Sequence, residues 1–256
     1  MVYNPGMQFP GYPLSQRRIN AVANFAVILA AAGKSTRFGD LFYKKVYAPL
    51  AGRPVWVYSA EFFSNRPDVK QIILVIDPED REMFSEKYAG VAAMLSVEVT
   101  FGGARRSDSV MRGLEKVRPD IDFVAVHDAA RPCLASKWID ALFAKAEQTG
   151  AAILAEQVTS TVKKSNDKMK IVETVAREGL WLAQTPQVFR KDWLTEGYAK
   201  LNQLEVTDDS QLMEHAGRSV SLVPSSPMNL KITTKEDLKL AEQLLKALPK
   251  AKGFPF

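Results

Sequence analysis

The sequence predicts an α/β fold in which helices cover both faces of a mostly parallel sheet. From about residue 25 onward, short apolar and β-branched runs alternate with segments of helical periodicity. Strand, helix and strand in repetition is typical of a parallel sheet, because each crossover helix packs back onto the strands it connects. The apolar runs barely alternate with polar residues, which indicates strands that are buried on both faces.

The first part of the chain accounts for most of this pattern. Strands are predicted at 25–30, 71–77, 97–101, 123–127 and 151–155. Helices are expected between them, near 54–65, 79–88, 107–117 and 136–148.

The segment 157–178 breaks the pattern and predicts a β-hairpin. Polar and apolar residues alternate on either side of Ser165-Asn166-Asp167, a cluster of turn-forming residues. An arm of this kind, inserted into an α/β domain, is poorly buried by its own subunit. We therefore expect the arm to contact a partner chain.

Beyond the arm the α/β pattern resumes. We expect a short strand at 181–183, helices near 190–201 and 208–216, a strand through 230–232 and a last helix from 235 to about 248. Thr234 and Asp237 resemble a capping box in which Asp replaces the usual Glu. No internal repeat or linker divides the sequence. We predict a single domain over residues 23–250, preceded by a flexible extension, 1–22.

Composition and charge argue against several classes of protein. Hydrophobic residues make up 46% and charged residues 25%, as in ordinary globular domains. The net charge of +5 is modest and scattered, which disfavours nucleic acid as a partner but suits an anionic small molecule. No apolar run approaches the ~18 residues of a membrane span. The single cysteine, Cys133, and the lack of a signal-like start favour the cytoplasm.

The stretch AAAGKSTRFG, residues 30–39, follows the first predicted strand and contains Gly-Lys-Ser. A P-loop requires a further glycine five residues before Gly33, and Ile28 stands there. The dinucleotide turn G-x-G-x-x-G is absent as well. What remains is a run of small residues that lets the backbone approach a ligand closely, followed by Lys34 and Arg37. Standing alone, the stretch is equally consistent with a tight turn.

Two further strand ends carry small and charged residues. TFGGARRSDSV, residues 100–110, follows the third predicted strand, and VHDAARP, residues 126–132, follows the fourth. In open α/β sheets, ligands bind beyond the carboxyl ends of the strands. Three strand ends of this kind, together at one edge of the sheet, predict a binding site at that edge.

Seven ordered motifs connect the chain with one enzyme family. They are LAAAGKSTRFG, KVYAPLAGRPV, GGARRSDSV, VHDAARP, LWLAQTPQVF, VTDDSQLMEH and NLKITTKEDL, spread over about residues 25–246. Together they resemble the 2-C-methyl-D-erythritol 4-phosphate cytidylyltransferases of the non-mevalonate isoprenoid pathway. The resemblance implies a Rossmann-like fold and a homodimer formed through the β-arm. It also implies transfer of CMP from CTP to methylerythritol phosphate, with Mg²⁺ or another divalent cation and release of pyrophosphate.

The resemblance implies that Arg37 and Lys45 are the catalytic residues. The nucleophile is a phosphate oxygen, which is already anionic because the second pKa of a phosphomonoester is ~6. The reaction therefore needs cations that stabilise charge on the α-phosphate and on the departing pyrophosphate. Family members usually have Pro where Lys44 stands, so Lys44 is an alternative to Lys45. Lys45 aligns KVYAPLAGRPV without a gap.

The resemblance also assigns binding residues. Those implied for CTP are Ala31, Ala32, Gly33, Gly102, Gly103, Ser109 and Asp128. Asp128 would hold the metal, directly or through water. Those implied for methylerythritol phosphate are Arg131, Thr207 and Lys231, with Thr161 and Arg177 from the partner's arm. Ser35 stands where the family often has Gly. His127 is expected to be a packed residue at a strand end, since the reaction needs no base.

Three alternative functions stay open. A ribitol-5-phosphate cytidylyltransferase would use the same CTP chemistry, and motif spacing does not resolve the sugar phosphate. A sugar kinase with a P-loop is disfavoured by Ile28. A non-catalytic, dimeric binding module is disfavoured by the presence of both Arg37 and Lys45.

Overall fold

The computed structural model describes residues 23–39, 43–201 and 206–248. The predicted extension, 1–22, lies outside these ranges, as do the last residues of the predicted domain. None of the helices in the described ranges has the length and apolar character needed to cross a membrane.

The strands and helices follow one another much as the sequence predicts. The strands are β1 (Phe25–Ala30), β2 (Pro49–Leu50), β3 (Arg53–Pro54), β4 (Val69–Ile76), β5 (Val97–Phe101), β6 (Phe123–Asp128), β7 (Ala151–Gln157), β8 (Val162–Ser165), β9 (Ile171–Val175), β10 (Trp181–Arg190) and β11 (Ser221–Pro224). The helices are α1 (Val55–Ser64), α2 (Arg81–Met94), α3 (Arg106–Leu114), α4 (Ser136–Thr149), α5 (Lys191–Ala199), α6 (Ser210–His215) and α7 (Lys235–Ala247). A 3₁₀ turn, Pro78–Asp80, precedes α2.

A seven-stranded sheet in the order β11-β7-β10-β6-β1-β4-β5 forms the centre of the fold. The pairs β6-β1, β1-β4, β4-β5 and β7-β11 are parallel. Strand β10 is antiparallel to both of its neighbours, β6 and β7. The predicted α/β class with a mostly parallel sheet is confirmed, with β10 as the exception.

Strand β1 shows why the apolar runs of the sequence hardly alternate. Phe25, Val27 and Leu29 pack into one apolar core, while Ala26 and Ile28 pack into a second core on the opposite face of the sheet. Side chains of a strand point alternately to its two faces, so a strand covered on both sides must be apolar throughout. The helices therefore lie on both faces, as predicted.

The helices divide between the two cores. Helices α1, α2, α4 and α7 bury residues in the first core, for example Trp56, Phe84, Ile139 and Ala241. Helices α3, α5 and α6 bury residues in the second, for example Val110, Leu194 and Met213. The site described below lies at the end of the sheet where loops from both layers meet.

The C-terminal part of the sheet differs from the prediction. The short strand expected at 181–183 is the beginning of β10, which has ten residues. The strand expected through 230–232 is wrong: Ile232 is buried, but its amide donates to Ala130 O in the loop after β6. Strand β11 was not predicted because only Val223 of its four residues is buried, so it lacks the apolar run of an inner strand.

The segment predicted as an arm contains a hairpin formed by β8 and β9. Asn166 Oδ1 accepts hydrogen bonds from the amides of Lys168 and Lys170, which closes the turn. The arm carries exposed apolar side chains: Met169, Ile171 and Val172 are 85%, 66% and 56% exposed. These side chains are available to a partner, and the role of the arm in dimerisation stays a prediction.

The capping box at the start of α7 is confirmed. Thr234 Oγ1 accepts from the amide of Asp237 at 3.3 Å, and Asp237 Oδ2 accepts from the amide of Thr234 at 2.8 Å. The capping box fixes where α7 begins. It therefore also fixes the end of the preceding segment, which carries Lys231.

Candidate active site

Two adjoining cavities lie beyond the carboxyl ends of β1, β4, β5 and β6. The larger has a volume of about 490 Å³ and the smaller about 250 Å³. Arg106, Asp128 and Lys231 line both of them. A charged junction therefore separates two compartments, each of a size suited to a small ligand or part of one.

Most of the residues predicted to bind CTP and methylerythritol phosphate line these two compartments, and Asp128 and Lys231 line both. The larger cavity is lined by Ala31, Ala32, Gly33, Gly102, Gly103, Ser109 and Asp128, together with Lys45. The smaller is lined by Asp128, Arg131, Thr207 and Lys231. The structure thus brings together residues that lie up to 200 positions apart in the chain.

Three predicted residues do not line either cavity. Arg37 is exposed on the turn after Gly33. Thr161 and Arg177 are exposed at the base of the arm, where Arg177 Nη1 donates to Thr159 O. All three are exposed, and none of them lines either of these cavities of its own subunit.

The glycine-rich loop after β5 packs directly against the end of β1. A Cβ atom on Gly102 would lie 2.5 Å from Ala32 Cβ and 2.6 Å from Ser109 Oγ, so only glycine fits. Ser109 Oγ accepts from the amide of Gly103 at 3.1 Å, and Arg112 Nη1 donates to Gly102 O at 2.5 Å. These contacts hold exposed backbone at the wall of the larger cavity.

Asp128, at the end of β6, is a buried carboxylate enclosed by cations. Lys231 Nζ lies 2.6 Å from Oδ2, Arg106 Nε lies 3.4 Å from Oδ1, and Arg131 Nε lies 4.0 Å from Oδ2. Burial alone would raise the pKa of the Asp128 carboxyl, but Arg106, Lys231 and Arg131 hold that pKa well below its usual range. Asp128 is therefore ionised at neutral pH.

Arg106 connects Asp128 with a second buried carboxylate. Its Nη1 lies 2.8 Å from Asp209 Oδ2, and Tyr198 Oη donates to Asp209 Oδ1 at 2.5 Å. Gln187 Oε1 accepts from the amides of Asp209 and Ser210, both at 3.0 Å. Burial would lower the pKa of Arg106, but Asp209 and Asp128 raise it, so the guanidinium stays charged.

The two neighbouring lysines have different partners. Lys44 Nζ lies 2.9 Å from Asp77 Oδ2 and 2.8 Å from Asp80 Oδ1. Burial would lower the pKa of Lys44, but these two carboxylates raise it. Lys45 lines the larger cavity, where burial lowers the pKa of its ammonium and Lys231 lowers it further. Lys45 is thus the lysine that faces the site.

His127 is packed inside the sheet, as predicted. Its Nε2 donates to Arg131 O at 3.1 Å, and its Nδ1 lies 3.2 Å from Thr185 Oγ1, which also accepts from the amide of Asp128. Burial lowers the pKa of His127 to about 4. A neutral imidazole therefore ties the loop that carries Asp128 and Arg131 to β10.

Comparison with known proteins places the chain in a family. The model of a family described as 2-C-methyl-D-erythritol 4-phosphate cytidylyltransferase matches residues 25–247. The chain belongs to this family. Proteins of that name from Rhodopirellula baltica and Endomicrobium trichonymphae are both 40% identical, over 89% and 87% of this chain and 97% and 99% of their own lengths.

Solved structures carry the same family name. The crystal structure of the Francisella tularensis cytidylyltransferase aligns with a TM-score of 0.74 at 31% identity, over 87% of this chain and all of that one. A 4-diphosphocytidyl-2C-methyl-D-erythritol synthase from Anaerococcus prevotii aligns with a TM-score of 0.73 at 29% identity, over 88% of this chain. Fold and family therefore agree.

Several residues of this cytidylyltransferase-family site were not predicted. Arg106, Gln187 and Asp209 lie inside motifs used to predict the family, namely GGARRSDSV, LWLAQTPQVF and VTDDSQLMEH. The motifs thus indicated that these segments contribute to the site. Which side chains pair across them depends on the antiparallel placement of β10, and that was not predicted.

Among the described residues, the junction of the cavities offers a single carboxylate, Asp128, to a metal ion. Across the described ranges, no three His, Cys, Asp or Glu side chains are grouped to hold a metal. Mg²⁺ is commonly held by one or two carboxylates together with substrate phosphates and water. Asp128 is ionised and lies at the junction of the cavities, and an ion held there would share the carboxylate with Lys231 and Arg106, which face its oxygens at 2.6 and 3.4 Å.

We predict that His127 makes folding stability depend on pH. The unfolded chain protonates this histidine below its ordinary pKa of 6.5, whereas the folded protein resists protonation until about pH 4. Stability is therefore lost as pH falls from 6.5 to 4, by about 3 kcal/mol from this residue. Urea unfolding at several pH values measures the effect.

The matched control is His127→Gln, which has no titrating group at this position. The contributions of all other groups are common to both proteins and cancel in the difference. The wild-type free energy of unfolding should fall more steeply over this range than that of the variant. Parallel pH profiles would contradict the buried neutral histidine.

Proposed function

We propose that this protein transfers CMP from CTP to 2-C-methyl-D-erythritol 4-phosphate, giving 4-diphosphocytidyl-2-C-methyl-D-erythritol and pyrophosphate. The observation that carries the proposal is the pair of cavities joined at Asp128, Arg106 and Lys231. One compartment presents glycine backbone and Lys45, and the other presents Arg131 and Thr207. Family membership of the chain supports the same reaction.

The larger cavity would hold CTP. Backbone at Gly102 and Gly103, held by Ser109, offers donors and acceptors to the edge of the cytosine. Lys45 and Lys231 face the space in which the triphosphate would lie. Arg37 lies near enough to affect the pKa of Lys45 and would close over the phosphates from the rim.

The smaller cavity would place the attacking phosphate. Arg131 and Lys231 are cations that suit a phosphomonoester, and Thr207 lies at the same wall. An oxygen of that phosphate forms a bond with the α-phosphorus of CTP while the bond to the β-phosphate oxygen breaks. Pyrophosphate leaves with the electron pair, and no general base is needed.

The cations of the site stabilise the charge that develops during this displacement. Lys45 and Arg37 are proposed to neutralise charge on the α-phosphate and on the departing pyrophosphate. Asp128 would hold Mg²⁺ shared with the triphosphate, and that ion would supply further neutralisation of phosphate charge. Arg106 and Lys231 keep Asp128 ionised for this purpose.

The expected location is a reducing cytoplasm. Cys133 is buried, its thiol lies 3.7 Å from Ala241 O, and burial raises its pKa to about 12. Such a thiol is a packing residue rather than a nucleophile. The scattered positive charge is proposed to serve anionic small molecules, with neither nucleic acid nor membrane as a partner.

The proposed reaction is tested by supplying purified protein with CTP, Mg²⁺ and one sugar phosphate at a time. Methylerythritol phosphate should release pyrophosphate and form the diphosphocytidyl product. Ribitol 5-phosphate, the substrate of the nearest alternative, should react at least ~100-fold more slowly, because its different shape misplaces the attacking oxygen. Faster turnover of ribitol 5-phosphate would overturn the proposed substrate.

Alanine variants of Lys44 and Lys45 form a matched pair that tests which lysine is the catalytic cation. Lys45→Ala should lower kcat by about 10²–10³-fold with the fold intact, because a charge aimed at the phosphates is lost. Lys44→Ala should lower it by less than ~10-fold, because Lys44 does not line the cavity and its ammonium is paired with Asp77 and Asp80. A larger loss in Lys44→Ala than in Lys45→Ala would reverse the assignment.

We further propose a homodimer in which Thr161 and Arg177 of each arm complete the partner's substrate cavity. Both residues are exposed and lie away from the cavities of their own chain. The exposed Met169, Ile171 and Val172 offer the apolar surface that such a contact needs.

Mixed dimers test this arrangement. Lys45→Ala and Arg177→Ala dimers should each be nearly inactive, yet a co-expressed mixture should regain up to about one quarter of wild-type activity. Half of the dimers would be mixed, and each mixed dimer would contain one intact site. Absence of any recovery, with mixed dimers verified by mass spectrometry, would show that Arg177 does not act across the interface.

A further inference from the structure

Ser35 adopts a backbone conformation that serine seldom takes. Its φ is +56°, in the left-handed region that favours glycine. This backbone conformation is unfavourable for serine. A contact made by the Ser35 side chain would compensate for that cost.

The Ser35 hydroxyl joins two parts of the site. Its Oγ donates to Gly33 O at 3.3 Å and accepts from the amide of Lys45 at 3.1 Å. Gly33 is part of the backbone wall of the larger cavity, and Lys45 faces the same cavity from ten residues further along the chain. One hydroxyl therefore closes the base of the loop between them.

Two neighbouring contacts anchor the same loop. Ser35 O accepts from the amide of Phe38 at 2.9 Å, and the Phe38 side chain is buried in the first core. On the far side, Lys44 is bound to Asp77 and Asp80. The Lys45 backbone is thus held by Ser35 at its amide and by the side-chain contacts of the preceding residue.

We propose that Ser35 is a positioning residue for Lys45. A lysine carries its charge on a flexible four-carbon stem, so its ammonium is presented accurately only when its backbone is fixed. The hydroxyl of Ser35 supplies that fixation through its bonds to Gly33 O and the Lys45 amide. The inference rests on the proposed function, in which the Lys45 ammonium neutralises phosphate charge during CMP transfer.

Replacing Ser35 by glycine separates the positioning role of the hydroxyl from the effect of the left-handed backbone conformation. Ser35→Gly removes the hydroxyl and relaxes the left-handed conformation, so the fold should be at least as stable as before. We expect kcat to fall about 10-fold, equivalent to about 1.4 kcal/mol, while KM for CTP changes by less than ~3-fold. Ser35→Ala should show the same loss of kcat with a lower Tm.

A double-mutant cycle shows whether Ser35 acts through Lys45. In a Lys45→Ala background, Ser35→Gly should change the residual rate by less than ~2-fold, because there is no ammonium left to position. A 10-fold loss in both backgrounds, or a Ser35→Gly enzyme within ~2-fold of wild type, would overturn the inference.

Hydrogen exchange of the Lys45 amide tests its hydrogen bond to Ser35 without depending on the CMP-transfer reaction. In the wild-type protein the amide is bonded to Ser35 Oγ, and in Ser35→Gly it should exchange about 10-fold faster. Unchanged exchange would count against the bond itself. A wild-type protein with a protected amide but no CMP transfer would count against the proposed function and not against the Ser35 contact.

Discussion

The buried charge of Asp128 lies at the carboxyl end of β6, in the middle of the sheet, and the rest of the site is arranged around it. An ionised carboxylate is costly to bury unless cations and hydrogen-bond donors enclose it. Arg106 comes from the start of α3, Arg131 from the loop after β6, and Lys231 from the segment before α7. Pairing with one carboxylate thus brings three remote segments to one point, where the two cavities meet.

Strand β10 couples the C-terminal third of the chain to this point. Because it runs antiparallel beside β6, Thr185 reaches the amide of Asp128 and the ring of His127. Gln187, on the same strand, binds the backbone at Asp209 and Ser210. A single strand of reversed direction therefore supports both walls of the smaller cavity.

The electrostatics of the site favour an anionic ligand. Burial lowers the pKa of Lys45, and repulsion from the nearby charge of Lys231 lowers it further. A phosphate chain placed between them would replace that repulsion by attraction to both. Contacts within the protein, by Ser35 to the Lys45 backbone and by Asp77 and Asp80 to the neighbouring Lys44, keep Lys45 in place without a ligand.

Local pattern was enough to predict the α/β class, the inner strands and the hairpin, because apolar runs such as β1 and alternation such as β8 and β9 depend on neighbouring residues. Ordered motifs were enough to predict the family, and many of the residues assigned from them line the two cavities. Tertiary structure alone decided that 230–232 is not a strand, that Lys44 is paired with Asp77 and Asp80, and that Arg106 bridges Asp128 and Asp209. Each of these depends on a partner distant in the chain, and local sequence carries no record of which distant charge or carbonyl a side chain will meet.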